Sequence, residues 1–231
     1  MANRAYASIW AADFTEETLV ERWRQFLETV PFSQERRGFT ELLIRAVDAT
    51  ETPIVEQDLR SGEFGADVLA EIAQEHPHSD CSYETRTYWD LWTYDDASGT
   101  WAQKPQPIGI ICYGPDFDDG EWKEQGHFLV DAGFEHFFTG HAGLLGFRRG
   151  NGDAKDSSKD PPNDPSETSF VAVMSQPGNL QAYQEKTREN IKKLYDWMAR
   201  MEAALPVERY QFWSEGEENF EARMEEILAA R

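Results

Sequence analysis

"CSYETRTYWDLWTYDDASGTWAQKPQPIGIICYG" runs from Cys81 to Gly114. Two runs rich in Tyr, Trp, Thr and Ile flank "DDASG" (residues 95–99), a turn-forming cluster. This pattern predicts two long antiparallel strands joined as a hairpin. A tight turn sets Tyr94 near Trp101 and Trp92 near Gln103. Tyr88, Asp90, Trp92 and Tyr94 then share one face of the strand, and Trp89, Leu91 and Thr93 share the other. Both faces carry large aromatics. Either helices cover both, or one face is an exposed aromatic platform of the kind that marks binding surfaces. Tyr88, Trp92, Tyr94 and Trp101 are the residues such a platform would present. The alternative buries them under the long C-terminal helix.

Upstream of the hairpin, "RAYASIWA" (Arg4 to Ala11) reads as a strand. A helix follows, for which Asp13 with Glu16 has the spacing of a capping box. Its apolar stripe is Leu19, Trp23, Phe26, Leu27 and Val30, and Pro31 ends it. "FTELLIRAVD" (39–48) and "PIVEQDL" (53–59) read as strands. "GADVLAEIAQEH" (65–76) reads as a helix with Val68, Leu69, Ile72 and Ala73 inward. The order through Tyr94 is strand, helix, strand, strand, helix, strand, which is ferredoxin-like. The expected fold class is α+β, a mixed or antiparallel sheet with helices packed on it.

Downstream, "PDFDDGEW" (115–122) reads as a polar turn leading into the strand "HFLVD". It lacks the twelve-residue pattern of an EF-hand loop. Residues 150–168, "GNGDAKDSSKDPPNDPSET", have no apolar residue larger than alanine apart from proline and read as a flexible linker. "SFVAV" (169–173) reads as a strand. A long helix, 177–205, carries a stripe of Leu180, Tyr183, Thr187, Ile191, Leu194, Met198, Met201 and Leu205. "VERYQFW" (207–213) is a last strand. Ser214 and Glu217 open a terminal helix with Phe220, Met224, Ile227 and Leu228 inward. Residues 1–149 thus form an α+β body. Residues 169–231, strand–helix–strand–helix, are too short to bury their own faces, so they are expected to complete the same core as a diverged second half.

The chain has 231 residues, with 22 Lys and Arg against 43 Asp and Glu, a net charge of −21. That balance argues against a phosphate backbone and against an anionic membrane surface, and is compatible with a basic protein partner steered in by the field. No run approaches the ~20 apolar residues of a membrane helix. The start shows no signal peptide. Cys81 and Cys112, two cysteines in strand-like runs, read as buried thiols of a reducing compartment, so a cytoplasmic protein is expected.

The densest candidate for chemistry is "GHFLVDAGFEHFFTGHAGLLG" (126–146), which holds three of the five histidines. In a strand, His127, Leu129 and Asp131 point one way. "FEHFF" after Gly133 can begin a helical turn that brings Glu135 or His136 close, and His141 follows among glycines. Histidines with a carboxylate are a common ligand set for zinc or non-haem iron. His127, Asp131, Glu135, His136 and His141 are therefore candidate ligands of one divalent metal ion in a metal-assisted hydrolase. Their spacing matches no zincin pattern, and "GFRRGNG", with Arg148 and Arg149, lacks the Lys-Ser/Thr pair of a phosphate loop. A Cys81 pairing with His76 or His78 is conceivable, but a short turn before a strand points such side chains apart. The leading expectation is a binding protein without catalysis or cofactor. One form of it is an acidic inhibitor or immunity-type protein that neutralises a basic toxin or enzyme by charge complementarity.

Overall fold

In a computed structural model of the chain, the structure describes residues 3–95, 98–141 and 165–230. The elements run β1 (Arg4–Ala11), α1 (Glu16–Glu28), β2 (Glu41–Ala46), β3 (Val55–Asp58), α2 (Ala66–Ala73), β4 (Cys81–Asp95), β5 (Thr100–Tyr113), α3 (Trp122–Gln125), β6 (Phe128–Phe134), α4 (His136–Thr139), α5 (Pro165–Met174), α6 (Pro177–Ala204), β7 (Val207–Ser214) and α7 (Phe220–Ala229). The predicted hairpin is β4–β5, and its register pairs Tyr94 with Trp101 and Trp92 with Gln103.

The described strands form a seven-stranded sheet in the order β3-β2-β4-β5-β6-β1-β7, antiparallel throughout. The fold is α+β. The ferredoxin-like order is not confirmed. The element sequence matches to β4, but β1 pairs with β6 and β7 and is separated from β2 by three strands. The meander β4–β5–β6 takes the place beside β1.

Alternation decides which face is covered. Ala5, Ala7 and Ile9 of β1, Tyr83, Trp89 and Leu91 of β4, and Phe128 and Val130 of β6 are all fully buried. Against them lie Trp23 and Phe26 of α1, Phe138 of α4, and Leu194, Trp197 and Met198 of α6. Trp197 is the keystone: its ring lies 5.7 Å from Trp89 and 6.1 Å from Phe26, and its indole donates to Thr29 Oγ1 at 3.0 Å. The opposite face carries Tyr6, Leu43, Glu84, Ile111, Leu129 and Asp131, all half-buried.

Several local readings are corrected. The cap of α1 is Thr15, whose N–H donates to Thr18 Oγ1 at 2.9 Å; Asp13 sits at φ 52 and serves only through its carbonyl, which accepts the Thr18 hydroxyl. In α2 the buried positions are Ala66, Leu69, Ala70 and Ala73, with Val68 and Ile72 on its flanks. Residues 169–173 are helical, within α5, and not a strand; the four apolar residues after Ser169 have no period of their own to separate strand from buried helix. Pro165 begins that helix, where a missing N–H is no loss. Ser214 Oγ does accept the Glu217 N–H at 3.1 Å, but α7 begins only at Phe220, after Asn219. Most of the expected linker, with Arg148 and Arg149, lies outside the described residues. Cys81 and Cys112 are buried free thiols. No helix among the described residues is long and apolar enough to cross a membrane.

Candidate functional site

Gly126 fixes where the histidine-rich stretch turns into the sheet. It has φ +88, and a Cβ there would stand 2.6 Å from the Ile9 nitrogen, so only glycine fits. His127 follows it, one residue before β6 begins. Its ring is stacked between Phe14 (4.3 Å) and Trp122 (4.4 Å), and its Nδ1 accepts the Ala11 N–H at 3.1 Å. An accepting Nδ1 places the proton of the neutral ring on Nε2. Burial lowers its pKa to about 4.

The other candidate ligands go elsewhere. Asp131 lies on the opposite sheet face, forked by Arg4 at 2.7 and 2.8 Å, and also accepts the Gly133 N–H at 3.1 Å. Glu135 caps α4 and accepts the Gly216 N–H at 3.0 Å. His136 and His141 do meet, with ring centroids 4.2 Å apart. Burial, then the neighbouring His141, lowers the His136 pKa to about 3. His141 donates its main-chain N–H to Tyr183 Oη at 2.7 Å, and its Nδ1 lies 3.0 Å from the same oxygen. The structure therefore brings together His136 and His141 but places His127, Asp131 and Glu135 in three other settings. No group of three or more His, Cys, Asp or Glu side chains among the described residues could hold a metal ion.

The hairpin aromatics are also divided. Tyr94 and Trp101 touch each other (5.4 Å) and pack under α5 and α6, through Phe170 (5.9 Å) and Tyr183 (5.7 Å). Tyr88 lies under the Arg36 guanidinium at 4.6 Å. Trp92 is half-buried, with the Lys186 ammonium 3.6 Å above its ring and its indole donating to Glu189 at 2.5 Å.

Two arrangements emerge that sequence reading missed. The first is a groove between the outer half of β4 and α6, with a volume of about 250 Å³, lined by Asp90, Trp92, Glu189, Lys193, Asp196 and Arg200 among others. Its only advance signal was the pair Lys192–Lys193 in so acidic a chain. The second is an acidic, aromatic face at the β7 edge of the sheet. Tyr210 and Phe212 share one side of β7, with rings 5.3 Å apart, and Tyr195 of α6 packs on Phe212 at 5.2 Å. Glu221 and Glu225, one turn apart on α7, and Glu202 at the end of α6 surround them. Burial, then Glu221 and Glu225, pushes the Tyr195 pKa up to about 12, and its hydroxyl is buried without a hydrogen-bond partner among the described residues. Glu221 is itself pushed up, by burial and then by Glu225. The signal was the i,i+4 repeat of glutamate, which puts like charges on one helix face.

Comparison with protein-family models, with curated proteins and with solved structures finds no match for the chain.

Proposed function

We propose that this chain is a binding protein that captures a basic protein partner on the face formed by β7, α7 and the end of α6. One observation carries the reading: Glu221 is held partly buried beside Glu225, against the Tyr195–Tyr210–Phe212 cluster. Two like charges one helical turn apart oppose folding, and burial makes the opposition worse. An incoming Lys or Arg relieves both costs at once. Tyr210, half-buried on β7 beside these carboxylates, adds the apolar contact and hydrogen bonding that interface centres favour. The net charge of −21 supports the same reading, since it steers a cationic partner toward the chain and makes association salt-dependent.

The test is affinity capture from source-cell extract at low salt with three forms of the protein. These are the wild type, Glu221→Gln/Glu225→Gln, and Glu56→Gln/Glu63→Gln. The last loses the same charge from the β3 side, at the other edge of the sheet. The expected result is one basic protein retained by the wild type and the β3-side variant and lost from the α7 variant. Equal retention by all three, or no basic protein retained, overturns the proposal.

A further inference from the structure

We infer that the outer face of the sheet is an interface between two copies of this chain, packed sheet against sheet about a two-fold axis. Helices α1, α2, α4, α5, α6 and α7 all send buried residues into the one core on the inner face. The short α3 meets the margin of the outer face through Trp122, stacked on His127. Across the middle of that face the register sets Leu129, Ile111, Glu84 and Leu43 side by side, one each from β6, β5, β4 and β2. Leu43, Ile111 and Leu129 are only half-buried, and among the described residues no helix of eight or more residues packs over them. Toward β7 the apolar surface continues in Tyr6 and Trp213, whose rings stack 4.3 Å apart.

Charge selects the occupant. The chain carries 22 basic against 43 acidic residues, so two copies repel over most of their surfaces. The outer face is the exception. Where its five inner strands are paired, the charged residues are Arg4, Arg45 and Arg86 against Glu41, Glu84 and Asp131. They are matched one to one: Arg4 with Asp131 at 2.7 Å, Arg45 with Glu84 at 2.8 Å, and Arg86 with Glu41 at 2.9 Å. This region is thus neutral and offers no unmatched acid to the basic partner proposed for β7 and α7. An identical surface, neutral and apolar at its centre, meets it without repulsion.

Gly109 marks how closely the second copy approaches. It lies on β5, the central strand of the seven, between Asp131 and Arg86. Its φ is one that any residue adopts, and a Cβ there would meet only the Asp131 Cβ, at an ordinary 3.7 Å. Nothing within the chain requires a glycine at this point, and glycine weakens a strand. Its use there leaves room for another backbone to come close. Seven strands about 4.8 Å apart and about 20 Å long give a footprint of roughly 600 Å², comparable with the ~800 Å² each partner buries in a standard interface.

The experiment is sedimentation velocity on the full chain from about 1 to about 100 µM, at about 50 and about 500 mM salt. The expected result is a dimer with a Kd of about 10 µM or tighter. It should hold or tighten at the higher salt, where repulsion between two acidic chains is screened. Gly109→Val and Ile111→Glu should each weaken it by about tenfold or more. Valine favours a strand, so Gly109→Val should fold at least as stably as the wild type, and it reports even if Ile111→Glu fails to fold. A monomer at every concentration, a dimer that dissolves at high salt, or an unchanged Kd in Gly109→Val overturns the inference. Neither residue lies on the β7–α7 face, so protein capture there stands or falls separately.

Discussion

Tyr183 and His141 are joined twice through one oxygen: the phenol accepts the main-chain N–H of His141 at 2.7 Å and lies 3.0 Å from Nδ1 of the same residue. Since the oxygen accepts from the N–H, its own proton is free to go to Nδ1, which leaves the ring proton on Nε2. The pair ties the end of α4 to the first third of α6, beside Trp101 and Phe170. His141 is therefore held as a structural clasp, and its ring faces His136 because Tyr183 holds it there.

Tyr183→Phe removes both bonds and leaves a partly buried N–H without its acceptor. The ring contacts with Trp101 and Phe170 survive the change. The expected cost is about 1–3 kcal/mol of unfolding free energy, read by urea denaturation with an unchanged m value.

Acid pH should destabilise the fold before its carboxylates titrate. His127 and His136 have folded-state pKa values of about 4 and about 3, both below the ordinary histidine value, chiefly through burial. A depressed histidine binds its proton more readily in the unfolded chain. Its stability contribution is thus complete above the unfolded pKa of about 6.5 and falls as pH drops toward the folded pKa. Between pH 7 and pH 5 each histidine should remove about 1–2 kcal/mol. His136→Phe should flatten that slope by about half. A stability that stays level from pH 7 to pH 5 in the wild type would contradict the burial argument.

Asn190 is the second clasp of α6. Its Oδ1 accepts the Trp92 N–H at 2.8 Å, and its Nδ2 donates to the Trp92 and Phe137 carbonyls at 3.1 and 3.2 Å. At 3 % exposure it carries three bonds that water cannot replace. Asn190→Leu keeps the branching at Cγ, adds bulk and loses all three, and should cost about 2–4 kcal/mol by calorimetric or chemical denaturation. Asn190→Asp keeps the acceptor but cannot donate to the two carbonyls, and should be similarly damaging at neutral pH.

The register of the long hairpin was legible in the chain because "DDASG" lies between runs of strong β character, and turn length fixes pairing. The α6 stripe was legible because 28 residues give a period many chances to show. α5 was not, since its five apolar residues fit a strand or a buried helix equally well. The histidines misled for a related reason: nearness in sequence around a glycine turn sends neighbours to different faces, so His127 ends against Phe14 and Trp122 while Asp131 meets Arg4. The groove left no trace in the chain beyond the Lys192–Lys193 pair. Asp90 looked like one polar residue on a mixed strand face, and only the packing of α6 over β4 sets Lys193 on its main-chain oxygen.

Glu221 offers a test in which stability and binding move in opposite directions. Its carboxyl is held above the ordinary range by burial and then by Glu225, so ionising it opposes the fold. A raised carboxyl pKa means the folded state holds its proton more tightly than the unfolded chain, and the stability linked to it falls as pH rises through that range. Glu221→Gln removes the repulsion and should raise unfolding free energy at pH 7 by a few tenths of a kcal/mol, with the gain disappearing toward pH 4. If the β7–α7 face receives a cationic partner, the same substitution should weaken capture, more so at low salt than at high salt. A destabilised Glu221→Gln would show that the carboxylate is a structural anchor and would remove the argument that an incoming cation relieves its strain.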